Sequence, residues 1–209
     1  MRKSPVSDGV LECGVASAVL AGETESGDLH LVRPVDDGVL VAVVDGLGHG
    51  QEAAAAARIA VKTLDRHADE PIQMMVQRCH ESLVGTRGVV MSVAHFDPDR
   101  DTMTWVGLGN VEGVLVAGDR TDRAARTSLV TRGGYVGSKN PAPPSIRPWV
   151  IPIQAQDVLV FATDGIRSGF SGDISPQDSP QQTADLLLAR HGKGTDDALV
   201  LVARYLGRR

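Results

Sequence analysis

The order of apolar segments along this 209-residue chain predicts an α+β fold: two mostly antiparallel sheets packed on each other, with helices covering the outside. Three observations lead there. Strand-like segments come in blocks interrupted by helices rather than alternating with them, which disfavours a doubly wound parallel sheet. Residues 39–44, Val-Leu-Val-Ala-Val-Val, have no polar interruption, as expected of a strand buried on both faces. Aromatic residues make up only 3% of the chain against 42% hydrophobic, so the core must be built from Val, Leu, Ile and Ala.

Residues 10–20 and 29–33 are short, aliphatic or β-branched, and read as strands. The 39–44 strand ends in a glycine-rich turn, Asp45-Gly46-Leu47-Gly48-His49-Gly50. Residues 51–64 follow, with five consecutive alanines at 53–57; alanine is the best helix former, and its small side chain lets a helix sit close on a sheet. A second helix is expected over 71–84, with Pro71 in its first turn and Ile72, Met75, Val76, Cys79 and Leu83 at helical spacing. Strands are expected at 89–96, 102–108 and 111–116, joined by turns at Asp97-Pro98-Asp99-Arg100-Asp101 and Gly109-Asn110. Residues 128–131 suggest another short strand, and 135–148 a Gly- and Pro-rich loop. Strands at 149–153 and 158–163, a helix at 176–189 and a strand at 198–205 complete the pattern. Without an internal repeat or low-complexity linker, residues 1–209 read as one domain.

Composition narrows the function classes. The formal net charge is −5, which argues against nucleic acid as the main partner. The cluster Arg120, Arg123 and Arg126 is interrupted by Asp119 and Asp122 and reads as a solvated loop. No apolar run approaches the roughly 20 residues of a membrane span. Arg2 and Lys3 near the start are not followed by a signal-peptide core, so a cytoplasmic protein is expected. Cys13 and Cys79 lie in apolar surroundings and are expected to be reduced core residues. A chain of this size and charge is expected to be a monomer.

The chemistry is concentrated at strand ends. Asp28 opens one strand, Asp45 closes the most apolar one, Asp164 closes 158–163, and Asp196 and Asp197 open the last. A carboxylate at the end of a buried strand is costly to leave unpaired, and four gathered together would repel one another. One or two divalent cations would relieve both costs. Carboxylates and carbonyls without Cys or His favour Mg²⁺ or Mn²⁺ over Zn²⁺, and Gly46 lets the backbone turn and present its own carbonyl. Two such ions can share a water, lower its pKa and hold the oxygens of an in-line displacement, which is phosphoester hydrolysis without a covalent enzyme intermediate. A single Asp-Gly pair is more often a turn than a ligand, and Asp8-Gly9 and Asp36-Asp37-Gly38 read as ordinary turns.

Ser26-Gly27-Asp28, Val43-Val44-Asp45-Gly46-Leu47-Gly48-His49-Gly50, Phe161-Ala162-Thr163-Asp164-Gly165 and Thr195-Asp196-Asp197-Ala198 occur in one order and span nearly the whole chain. In them the sequence resembles the PPM (PP2C-type) phosphatases, and within these the bacterial branch of sporulation and stress-response phosphatases. The short length and the stretch Gly133-Gly134-Tyr135-Val136-Gly137 resemble the small stressosome phosphatases of that branch. The resemblance implies an α-β-β-α sandwich with a metal centre at one edge. It implies that Asp45 bridges two ions and the Gly46 carbonyl binds one of them. Asp164 and Asp196 would complete one shell, and Asp28 would hold the second ion directly or through water. Asp197 would support the site. The implied substrates are phosphoserine and phosphothreonine on STAS-domain proteins of a stressosome, or on a free anti-sigma-factor antagonist.

Two departures from the pattern bear on mechanism. Residues 21–27 hold no arginine to grip phosphate, and His49 lies farther from Asp45-Gly46 than the histidine that eukaryotic relatives place there, so it is a weaker candidate for general acid. No clear flap insertion is visible, which suggests an open site. Two other readings differ in class. Gly46-x-Gly48-x-Gly50 as a nucleotide loop lacks the full fingerprint and its βαβ setting. An inactive phosphoprotein-binding module would be expected to have lost a metal aspartate, and all four are present.

Overall fold

The computed structural model describes residues 9–118, 125–137 and 146–208. Residues 1–8, Arg120 and Arg123 with Asp119 and Asp122, and residues 138–145 of the expected loop lie outside the described residues.

Among the described residues, ten strands and three α-helices follow in the order β1 (Leu11–Ala18), β2 (Asp28–Val35), β3 (Gly38–Gly46), α1 (Gly50–Arg66), α2 (Ile72–Ser82), β4 (Val89–Asp97), β5 (Thr102–Leu108), β6 (Glu112–Val116), β7 (Arg126–Leu129), β8 (Trp149–Pro152), β9 (Val158–Ala162), α3 (Pro180–His191) and β10 (Ala198–Tyr205). They form two five-stranded sheets, β1-β10-β9-β6-β7 and β2-β3-β4-β5-β8. Every strand pair is antiparallel.

Alternation along β3 explains the layering. Val39, Val41 and Val43 face the second sheet with Phe96, Phe161, Leu201 and Tyr205. Leu40, Ala42 and Val44 face Ala56, Ala57, Ala60 and Leu64 of α1 and Met75 and Val76 of α2. On the other side Val160, Val200 and Val202 pack against Ala184 and Leu187 of α3. The result is the expected helix–sheet–sheet–helix sandwich, and β3 is buried on both faces as its sequence requires. Cys13 and Cys79 are buried, and among the described residues neither is in a disulfide.

The structure departs from the sequence reading at element ends. α3 starts at Pro180 rather than 176, because Ser179 accepts from the Gln182 N–H while the Gln182 side chain accepts from the Ser179 N–H. Pro176 belongs to the preceding turn. Pro71 caps α2 instead of lying in its first turn. A short 3₁₀ turn, Phe170–Asp173, has no counterpart in the reading. Gly109-Asn110 does not close a hairpin: β5 and β6 lie in different sheets, so this turn carries the chain from one layer to the other.

α3 rests directly on β1. A Cβ on Gly14 would lie 2.3 Å from the backbone of Pro180 and Gln181. The Gln181 amide accepts from Val15 N–H at 3.1 Å and donates to Val15 C=O at 3.0 Å. Among the described residues no helix is long and apolar enough to cross a membrane.

Candidate metal centre

The register of β2 and β3 sets Asp28 directly opposite Asp45. Like charges in that position repel. Asp164 and Asp196 come from the other sheet, one just beyond β9 and one just before β10. Gly165 makes their approach possible, since a Cβ there would fall 1.9 Å from the Asp197 carbonyl oxygen. Gly46 is equally constrained: its Cβ would lie 2.2 Å from the Ala53 carbonyl oxygen, so α1 packs against bare backbone where β3 ends.

The charges of the group are felt across it. Burial pushes Asp45 up to about 8, aided by the charges of Asp28, Asp164, Asp196 and Asp197. Burial likewise raises Asp28 to about 7; the hydrogen bond from Thr163 opposes this, and the charges of Asp197, Asp164 and Asp196 add to it. Asp164 is raised by burial and by Asp196, and lowered by Lys193. Among the described residues no three His, Cys, Asp or Glu side chains form a ready-made cage. The candidate donors are instead a row of buried and half-buried carboxylates contributed by strand ends of both sheets. Such a row fits a hard divalent cation: all its candidate donors are oxygens, and the mutual repulsion of the carboxylates, which Lys193 offsets only at Asp164, would be relieved by a counter-charge.

The residues around the row are already committed. Thr163 donates to Asp28 Oδ2 at 2.7 Å and accepts from Leu199 N–H at 2.8 Å, tying the two sheets together. Asn110, at the crossover between sheets, donates to Asp164 Oδ2 at 2.7 Å. Both of Asp197's oxygens accept backbone N–H groups, from Leu20 at 2.8 Å and Gly27 at 2.7 Å, and so fix the segment that delivers Asp28. Asp196 Oδ1 accepts from Asp197 N–H at 2.9 Å. His49 stands apart from the carboxylates, exposed and bonded through Nδ1 to Glu23 Oε1 at 2.7 Å. The sequence reading assigned no role to Thr163 or Asn110. Their polar side chains beside strand ends were the available signal.

In the metal-free protein the folded state holds protons on Asp28 and Asp45 that the unfolded chain, with carboxylates near 3.9, has released. These groups therefore favour folding less as pH rises from about 4 to about 8. Mg²⁺ or Mn²⁺ at a hundredfold excess over Kd is expected to raise Tm by roughly 5–10 °C. At one fixed ion concentration the increment should be larger at pH 8 than at pH 6, because protons on Asp28 and Asp45 compete with the ion. Scanning calorimetry at the two pH values checks this, and equal increments would contradict the role given to the buried carboxylates.

The profile of the family described as Stage II sporulation protein E (SpoIIE) matches residues 35–206. Phosphoserine phosphatase RsbX of Bacillus subtilis is 26% identical over 94 residues, 45% of this chain and 47% of RsbX, so the chain spans about half the length of that curated relative. A chain solved in a study of the bacterial stressosome, as a modular system adapted to control secondary messenger signalling, is 27% identical. It has a TM-score of 0.82 over 93% of this chain and 99% of its own. RsbX in complex with magnesium superposes with a TM-score of 0.84 at 17% identity, over 97% and 98% of the two chains. The PP2C phosphatase domain of SpoIIE from Bacillus subtilis gives 0.76 at 19% identity, over 95% and 62%. These last two share the fold.

Proposed function

The chain belongs to the SpoIIE (PP2C-type) family, and on that premise we propose that it is a metal-dependent protein phosphatase acting on phosphoserine or phosphothreonine. The observation that carries this reading is the pairing of Asp28 with Asp45 in register, joined from the second sheet by Asp164 and Asp196. Asp45, Asp28, Asp164, Asp196 and the Gly46 carbonyl would hold one or two ions, Mn²⁺ or Mg²⁺. When bound, the ions would supply an activated water and neutralise charge at phosphorus during in-line displacement.

The chain's own residues prepare that site. Thr163 fixes the carboxylate of Asp28, Asn110 that of Asp164, and Asp197 anchors the segment before Asp28 through two backbone hydrogen bonds. Such partners orient ligands and are costly to remove. His49, held by Glu23 in solvent, is a poor general acid as it stands. His49→Ala is expected to lower kcat less than about tenfold, below the usual contribution of an acid–base group. A loss matching that of Asp45→Asn would give His49 the proton-transfer role after all.

The substrate class we favour is a phosphorylated STAS-domain protein of a stressosome, which the relatives' stressosome and phosphoserine phosphatase descriptions support. A free phosphorylated anti-sigma-factor antagonist is the alternative within the same class. Hydrolysis of an aryl phosphate with Mn²⁺, with Mg²⁺ and with EDTA tests the chemistry, and release of phosphate from a phosphorylated STAS protein tests the substrate. Activity that persists in EDTA would refute the metal-dependent reading.

A further inference from the structure

The free edge of the β2-to-β8 sheet has a surface that the phosphatase reading does not use. β8 covers only part of the edge of β5, with Trp149 opposite Trp105. Farther along the same edge Arg132 takes over, donating its N–H to Gly107 C=O at 3.0 Å and accepting from Gly109 N–H at 2.8 Å. Where β8 gives way to Arg132 the edge forms a shallow notch whose walls include Trp105, Arg132, Arg147 and Trp149. Its free volume is about 10 Å³, room for about one water, so it is not a small-molecule pocket.

What surrounds the notch suits a macromolecule. Val130 and Trp149, which line the notch, are 79% and 58% exposed, large apolar side chains left in solvent. Eight other arginines pair with carboxylates. Arg132 and Arg147 have no such partner among the described residues, though the chain is acidic overall. The indole Nε1 of Trp105 is buried without an acceptor. Among the described residues, two guanidinium groups without a carboxylate and one indole N–H without an acceptor thus line one notch beside β8, the outer strand of its sheet. The surface also adjoins the carboxylate row: Gly109, bonded to Arg132, precedes Asn110, whose side chain holds Asp164.

We infer that this edge docks an acidic, apolar-containing segment of the phosphoprotein substrate, with carboxylates on Arg132 and Arg147 and an apolar side chain against Trp149 and Val130. This inference rests on the phosphatase reading for the substrate's identity, while the docking itself is measurable without turnover. Charge complementarity selects the occupant: two guanidinium groups with no carboxylate partner among the described residues favour carboxylates and reject basic segments.

The test uses two fluorescent phosphoserine peptides of one length, one with Glu and Leu after the phosphoserine and one with Lys in place of each Glu. The wild-type protein is expected to bind the acidic peptide at least about tenfold more tightly at low salt, by anisotropy, with the preference shrinking as salt rises. The double variant Arg132→Glu/Arg147→Glu should lose or reverse the preference and keep its rate on aryl phosphate. Equal binding of the two peptides by wild type, or a preference unchanged in the double variant, would overturn the inference. So would a concentration-dependent dimer dispersed by Val150→Asp, which would give this edge to a second copy of the chain. Failure of wild type to hydrolyse any phosphoester with either ion would overturn the phosphatase reading alone, because the binding preference is read independently.

Discussion

Asp45→Asn is expected to lower kcat/KM for phosphoester hydrolysis by about a thousandfold or more, the several kcal/mol that a catalytic metal site contributes. Asp45 is the carboxylate most surrounded by others, with Asp28 opposite it in the ladder and the charges of Asp164 and Asp196 reaching it from the second sheet. Asparagine keeps the shape and removes the charge. The metal-free fold should therefore be as stable as wild type or slightly more so at pH 8, since one buried negative charge is gone. Kinetics and thermal melts on the same preparation separate the two effects. A variant that keeps a tenth of the wild-type rate would show that Asp45 is not central to the chemistry.

Gly165→Ala should be among the most damaging added methyls in the described residues, and the one that acts directly on the carboxylate row. The added Cβ would lie 1.9 Å from the Asp197 carbonyl oxygen and 2.8 Å from its carbon, both backbone atoms. Relief requires the turn after β9 and the turn before β10 to move apart, which separates Asp164 from Asp196. The expected cost is on the order of 3 kcal/mol, a fall in Tm of roughly 10 °C, together with loss of metal-induced stabilisation. Gly172→Ala is the control, because a Cβ there would meet nothing within 4 Å. It should change stability by less than about 1 kcal/mol. Equal behaviour of the two variants would mean that the close approach at Gly165 is not a constraint.

How much of this was legible in the sequence depends on the range of the interaction. The sandwich follows from local pattern: the uninterrupted 39–44 run, the alanine helix after it and the absence of alternation all act over short spans. The helix start at Pro180 rather than 176 is also local, and the Ser179-x-x-Gln182 capping box was there to be read. The strand-end aspartates are visible as positions, but their mutual placement is not. Asp28 faces Asp45 because of strand register, and Thr163 reaches Asp28 across 135 residues of sequence. Asn110 reaches Asp164 only because its turn crosses between sheets, whereas the pattern alone suggested a simple reversal. Asp197 shows the same limit: its two oxygens hold backbone at Leu20 and Gly27, contacts that no nearby residue announces.

The bidentate grip of Gln181 on Val15 has a consequence for life at high concentration. An outermost strand offers a template on which another chain can lay its own backbone. β1 is such a strand, yet at its middle the amide of Gln181 has already taken the outward N–H and C=O, as a peptide group of a visiting strand would. The helix that supplies it sits too close, over Gly14, for a newcomer to slide beneath. At the centre of this border the protein meets its own copies with a peptide group that is already taken.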